Sequence, residues 1–373
     1  MFIKFLRNLG ILCAGLCMIS CSDDDDSSSE DFPPAPGEGL TFTVSKQVIQ
    51  ANGTDKTDFI VKFDGVVLTE DFSIFTDKDE KIENKSTFST KETGEYKFWA
   101  SYKSSHTELV AVKAISVPVP QLPADKAPER TDFTKRMLLT NFTGTGCGFC
   151  PKMTSLLKNV FSEPTYAENT IWCVAHTFAG AGDPMLLKER NQFESAFKIS
   201  SYPTINVDFT FATTNYNIGV ENLRAKLDEI YALPANAGIS AKAELIDDKD
   251  GKKIALHVAV KAAEEGRFSV GAWLMEDSIK APQAGLNKII DHNNALRVVD
   301  SKAASYDYTG VKLGRIAKGK TAEHVFIMNL DEKWKLENCH MAIFVAETKD
   351  HKIYVTNAVR CPIEGELDFD YKK

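Results

Sequence analysis

Cys147-Gly148-Phe149-Cys150-Pro151, followed about fifty residues later by Tyr202-Pro203-Thr204, constrains the fold of this chain more than any other feature. A C-x-x-C at the start of a helix puts one thiolate where backbone N–H groups and the helix dipole favour negative charge, with a second thiol one turn away. The surrounding pattern supplies that helix. Met153, Leu156, Leu157, Val160 and Phe161 recur at helical spacing and form one apolar face. Upstream, Arg136 to Phe142 reads as a short buried strand ending in the turn Thr143-Gly144-Thr145-Gly146. Downstream, Thr170 to Phe178 is a second buried strand and Ile205 to Phe211 a third, while Val220, Leu223, Leu227, Ile230 and Tyr231 mark a closing helix.

This order of elements resembles the thioredoxin fold, over roughly Thr131 to Leu233. The resemblance implies that Cys147 attacks, that Cys150 resolves the mixed disulfide, and that Tyr202-Pro203 is a cis peptide lying against the pair. Phe149, Tyr202 and Pro203 would then contact substrate. X-Pro bonds prefer trans by only about 0.5–1 kcal/mol, so a tight turn can hold one cis. One position departs from the family: the buried aspartate six residues before the first cysteine is here Asn141, which does not titrate. Gly148 and Phe149 carry no charge either, which leaves a Cys147 thiolate to the helix terminus. The Gly-aromatic pair is similar to that of periplasmic disulfide isomerases, and potentials across such proteins run from about −270 to about −120 mV, so the direction of exchange stays open. Between the second strand and Pro203, Asp183-Pro184 reads as N-cap and first residue of an inserted helix, with Met185, Leu186, Phe193 and Phe197 as its stripe.

The amino terminus bears on the compartment. Lys4 and Arg7 precede an apolar stretch from Leu9 to Ile19, too short to span a bilayer and ending at Ser20-Cys21, which reads as a secretory leader over residues 1–20. Met18-Ile19-Ser20-Cys21 resembles a bacterial lipobox, with Cys21 as the lipidated residue; acyl chains contribute about 0.8 kcal/mol per buried CH₂. Residues 21–39 follow as an acidic tether, with Asp23-Asp24-Asp25-Asp26 and Glu30, self-repelling and too polar to pack. An acidic run at this place also resembles a signal for export to the outer face of the outer membrane, a periplasm-facing anchor being the alternative.

With 373 residues, 43% of them apolar, the chain has material for two or three cores. A net charge of −8 without a basic cluster argues against nucleic acid. Of eight cysteines, Cys13 and Cys17 fall in the leader and Cys21 at its end. A turn centred on Asp350 would set Cys339 opposite Cys361, suggesting a disulfide, with two buried thiols as the other reading. Cys173 reads as a small buried hydrophobe. Cys173-x2-His176 with the C-x-x-C also spells a zinc pattern, but positions three apart on a strand face opposite ways, so neither a metal nor a cofactor is expected.

Residues 40–117 alternate apolar and polar as half-buried strands do, at Phe42 and Val44, Phe59 to Phe63, Tyr96 to Ala100 and Val110 to Ala114, with Asn52-Gly53, Asp64-Gly65 and Thr93-Gly94 as turns. They read as an Ig-like β-sandwich. Residues 118–130, with Pro118, Pro120, Pro123 and Pro128, read as a stiff linker, 131–233 as the thioredoxin-like α/β domain, and 234–373 as a carboxy-terminal antiparallel β-sandwich. Asp291-His292-Asn293-Asn294 reads as a polar loop between its strands. The fold class expected is thus multidomain, α/β plus all-β.

Cys21, the Phe142-Thr143-Gly144 turn into C-x-x-C-Pro, and the distal His292-Asn293-Asn294 with Leu296-Arg297 resemble the Omp28-related lipoprotein family, from about residue 131 to 363. That implies an outer membrane lipoprotein and leaves activity open. Two functions fit: thiol–disulfide exchange with protein thiols or disulfides as partners, and a binding or adhesion lipoprotein with a surface ligand, in which the α/β domain is a scaffold and Cys147–Cys150 a structural bridge. Exchange requires Cys147 to be reachable and seated beside Pro203.

Overall fold

Alternating apolar residues from Leu40 to Ile115 close into two facing sheets whose inward side chains, among them Phe42, Phe59, Val61, Ile74, Phe98, Ala100 and Val112, form one core. The computed structural model describes residues 39–180, 182–248, 251–300 and 308–373, so the leader, Cys21 and the acidic tether lie outside the described residues. One sheet of this sandwich is built on Leu40–Val44 and Thr57–Phe63, antiparallel; the other centres on Gly94–Tyr102 between Phe72–Thr76 and Val110–Ile115. Each strand presents every second residue inward, as a sheet with one wet face must.

The sandwich is docked rather than tethered. Val48, Ile115 and Val117 pack with Ala255 and Val325 of the carboxy-terminal region. The linker is fastened as well: His257 Nδ1 lies 2.8 Å from the Pro120 carbonyl, and the buried Lys261 ammonium donates to Asp125 (2.9 Å), Tyr371 Oη (3.0 Å) and the Pro128 carbonyl (2.7 Å). A stretch whose prolines suggest a stiff linker is therefore bolted to a sheet.

The central architecture is a nine-stranded sheet. Its order runs Phe211–Thr213, Thr204–Val207, Met137–Thr143, Thr170–His176, Ala295–Asp300, Gly266–Glu276, Cys339–Lys349, Lys352–Pro362, with Val311–Ile316 also pairing to Gly266–Glu276. Met137–Thr143 and Thr170–His176 are parallel, while Thr204–Val207 is antiparallel to the first of them. Thr170–His176 then pairs with Ala295–Asp300 through Val174 and Ala295, so the α/β region and the carboxy-terminal strands share one sheet. Helices Cys150–Val160 and Val220–Tyr231 cover one face, where Met153, Leu157, Leu223 and Leu227 meet Met137, Leu139, Ile205 and Val207. The other face carries an aromatic cluster of Phe142, Phe193, Trp273 and Phe344. The last strand in the order turns back toward the end of Thr204–Val207 and the start of Met137–Thr143, with Val355 N–H donating to the Asp208 carbonyl (3.0 Å) and the buried Lys135 ammonium held by Asp208 (2.8 Å) and the carbonyls of Val355 and Thr356.

A four-stranded sheet of Thr321–Asn329, Gly251–Ala262, Ala237–Asp248 and Gly365–Leu367 packs against the distal half of the large sheet, Ile254, Leu256 and Val258 interleaving with Val270, Leu274, Met341 and Ile343. That is a sandwich of antiparallel strands, as the alternation around Ile254 to Val260 predicts.

Two expectations are corrected here. Cys339 and Cys361 are free thiols. The hairpin turns at Asp350-His351, with Lys349 opposite Lys352, and a bulge between Val345 and Ala346 adds another residue to one side; Cys361 therefore faces Met341. The inserted helix is Arg190–Ala196, starting later than Asp183. Asp183 caps only a local turn, its Oδ1 accepting from Met185 N–H (3.0 Å), because its other oxygen is held elsewhere.

Candidate functional site: a covered disulfide

The helix that follows the cysteines begins at Cys150, leaving Cys147 in the turn before it, with Cys147 N–H donating to the Gly144 carbonyl (3.1 Å). Cys147 and Cys150 form a disulfide. Tyr202-Pro203 is a cis peptide. Because Phe142 pairs with Thr204 in an antiparallel register, the next step along places Pro203 beside Thr143, at the root of the cysteine turn. Phe178 packs against both turns: a Cβ on Gly144 would meet it at 2.8 Å, and its ring makes an edge contact with Tyr202 (5.2 Å). Tyr202 Oη is hydrogen-bonded to Thr177 Oγ1 (2.7 Å) and to the Glu194 carboxylate, which fixes the proline loop to the inserted helix.

The turn is also gripped from the far side of the chain. Ile279–Gln283 and Lys288–His292 form a hairpin whose strands pair with each other. Its tip sits on the cysteine turn. Ala284 N–H donates to the Thr145 carbonyl (2.8 Å), and the Gln283 amide Nε2 reaches the carbonyls of Gly144 (3.3 Å), Thr145 (3.3 Å) and Cys147 (3.1 Å). Gly285 comes so close to Gly148 that a Cβ there would stand 2.3 Å from the Gly148 oxygen. Cys147 is 5% exposed and Cys150 1%. Phe149, in contrast, is 58% exposed, stacked on Tyr216 (6.1 Å) with the Lys152 ammonium over both rings.

Beneath the turn lies a buried polar cluster. Asp183 Oδ2 accepts from Thr145 N–H (2.8 Å) and lies 2.8 Å from His176 Nδ1. Burial would raise the Asp183 carboxyl, but the bond and charge of His176 and two backbone N–H donors outweigh it and bring the pKa down to about 2. The His176 ring meets His292 of the hairpin edge-on (5.3 Å), and burial, then the neighbouring His176, lowers the His292 pKa. The expected polar loop at residues 291–294 is thus a joint: Asn293 and Asn294 bond Ser278 and Asp277, and the Asn294 carbonyl accepts from Val174 N–H (2.8 Å). Cys173 packs in the apolar cluster on the face opposite His176, its thiol pushed up to about 12 by burial, and burial does the same to Cys339 and Cys361.

Asn141 alternates with Leu139 and Met137 on the side of the central strand that faces the cysteine helix. It is buried, and its Oδ1 has no hydrogen-bond partner among the described residues. The structure therefore brings together Cys147, Cys150, Phe149 and the Tyr202-Pro203 turn. It adds Gln283, Gly285, His176, Asp183 and His292, whose approach no local pattern in the sequence announces.

Among solved structures, the chain is similar to HBP35 of Porphyromonas gingivalis, at 16% identity over 63% of this chain and 77% of that one, with a TM-score of 0.49. A protein from Agrobacterium tumefaciens is similar at 11% identity, over 61% of this chain and 94% of that one, with a TM-score of 0.41. No curated protein sequence matches the chain. Residues 190–364 match the model of the family described as outer membrane protein Omp28, a span that takes in the inserted helix, the proline turn and nearly all of the carboxy-terminal strands. Over that span, a little under half of its length, the chain is similar to the Omp28 family of outer membrane proteins.

Proposed function

We propose that this envelope protein carries out thiol–disulfide exchange through Cys147 and Cys150, anchored to the outer membrane by a lipid on Cys21. The observation that carries the reading is the pairing of a C-x-x-C disulfide at a helix start with a prolyl turn registered beside its root. That arrangement is what a thioredoxin-like site calls for. From the disulfide state, a substrate thiolate attacks Cys147 Sγ, the Cys147–Cys150 bond breaks, and Cys150 leaves as a thiolate that takes up a proton. A second substrate thiolate then attacks the mixed disulfide, leaving the substrate oxidised by two electrons and the protein as a dithiol. Run backwards, the dithiol reduces a substrate disulfide, with Cys147 attacking and Cys150 resolving. In either direction Cys147 must come out from under the Ile279–His292 hairpin. Asn141, next to the helix, can accept a thiol hydrogen bond but takes up no proton.

The burial of Cys147 favours a second reading, in which the bridge is structural and the protein binds a surface ligand. Insulin reduction and oxidation of a reduced model protein, compared between the parent protein and Cys147→Ser, decide between them. Exchange predicts activity at least about tenfold above the variant; equal rates would leave only the scaffold. Cys150→Ser in cells should trap partners as mixed disulfides, and Cys21→Ser should move the protein from the membrane to the soluble fraction.

A further inference from the structure

Seven large apolar side chains are left in water among the described residues, and three of them lie on the cysteine turn and on the hairpin that touches it. Phe149 (58% exposed) adjoins Gly148; Leu286 (42%) adjoins Gly285; Ile289 (69%) lies three residues further along the same hairpin. Gly148 and Gly285 approach each other closely, which brings Phe149 and Leu286, their neighbours in sequence, to the same contact, while Ile289 lies with Pro282 on the outer face of the hairpin, away from the buried Gln283. Pro282, opposite Ile289 in the hairpin, is exposed too. Charge at the patch runs against the rest of the molecule. Lys152 and Lys288 are exposed there and form no ion pair among the described residues, and Lys280 is exposed opposite Asp291 in the hairpin, in a chain whose net charge is −8. The Lys152 ammonium is held over two aromatic rings, which leaves its donors pointing outward.

We infer that this patch is a docking surface for an acidic, aliphatic polypeptide segment, the segment that would bring a cysteine of a partner protein to Cys147. The inference rests on the exchange reading for its purpose and on the patch for its chemistry. Exposed aromatic and aliphatic anchors beside a local excess of ammonium groups match a chain that alternates carboxylates with apolar side chains. An anionic membrane surface offers similar chemistry, but three lysines on a protein of net charge −8 give it little hold there. The hairpin belongs to the carboxy-terminal strands, so recognition and chemistry would come from distant parts of the chain.

The test uses peptides without cysteine, so that binding is read apart from exchange. A fluorescent peptide alternating Glu and Leu, and a counterpart alternating Lys and Leu, are titrated against the full chain by anisotropy. The acidic peptide should bind about tenfold more tightly or better, and weaken as salt rises. Phe149→Ser and Ile289→Ser should each weaken it several-fold, the second without changing the melting temperature, since the Ile289 side chain is already largely in water. Lys288→Glu, also exposed, should reduce the preference for the acidic peptide. Equal binding of the two peptides, or unchanged binding in the variants, would overturn the inference, as would tight binding to phosphatidylglycerol vesicles with none to peptide. Loss of insulin activity alone would sink the exchange reading and leave this result standing.

Discussion

Asp183 ties the distant cysteine turn, through Thr145, to the end of the parallel strand, through His176, and to the start of the insertion, through Met185. Its carboxyl is held near 2, below its ordinary value of 3.8, so the unfolded chain takes up a proton at higher pH than the folded one. The linkage then has one sign. The stabilisation, about 2 kcal/mol, is present above about pH 4 and is lost as pH falls toward about 2. Urea unfolding measured between pH 5 and 2 should show this acid limb, and Asp183→Asn should flatten it; an unchanged limb in the variant would mean that other carboxylates supply it. At this scale the sequence is legible where chemistry is local. Cys147, Cys150 and Pro203 follow from their own neighbours. His176 does not, because the partner that gives it a role is an aspartate expected to cap a helix.

At the scale of elements, the strands and helices around the cysteines follow from apolar spacing, since each buries one face and the period of that face is written in the chain. Register is less legible. Cys339 and Cys361 sit on a hairpin foreseen from sequence, yet a two-residue turn and one bulge slide them out of opposition, and no single strand carries the signal for a bulge. The Ile279–His292 hairpin is harder still, because what it covers is decided by tertiary placement. Its hold on the disulfide rests on Gln283 and on the absence of a side chain at Gly285, whose φ of +82° already disfavours any other residue. Gly285→Val should lift the tip, and Gln283→Ala should loosen it by about 1–2 kcal/mol of lost hydrogen bonding. Reduction of Cys147–Cys150 by dithiothreitol is then expected to speed up about tenfold in either variant. Rates equal to the parent's would mean that the hairpin does not limit access.

For the whole molecule, composition and alternation foretell two β regions flanking an α/β one, and the sandwich from Leu40 to Ile115 and the sheets after Ala237 agree with that. What they miss is continuity. Prolines between 118 and 130 promise a stiff linker and say nothing of its docking, yet Lys261 on a neighbouring strand closes over that stretch. Removing one partner of a buried ion pair costs about 3–5 kcal/mol. Trypsin should therefore leave Lys126 and Arg130 uncut in the folded protein and cleave there in Lys261→Ala; prompt cleavage of the parent would mean that the linker is free after all.

The shared sheet has a further consequence for anyone dividing this protein. Cutting between the α/β region and the distal strands would strip Thr170–His176 of its neighbour and uncover the Asn294 carbonyl that serves it. Each fragment would carry a raw strand border bearing unpaired amides, the kind of margin that recruits other chains. Evolution could shuffle the amino-terminal sandwich as a module, but the cysteine turn and its distal partner are woven as one cloth and would have to be inherited together.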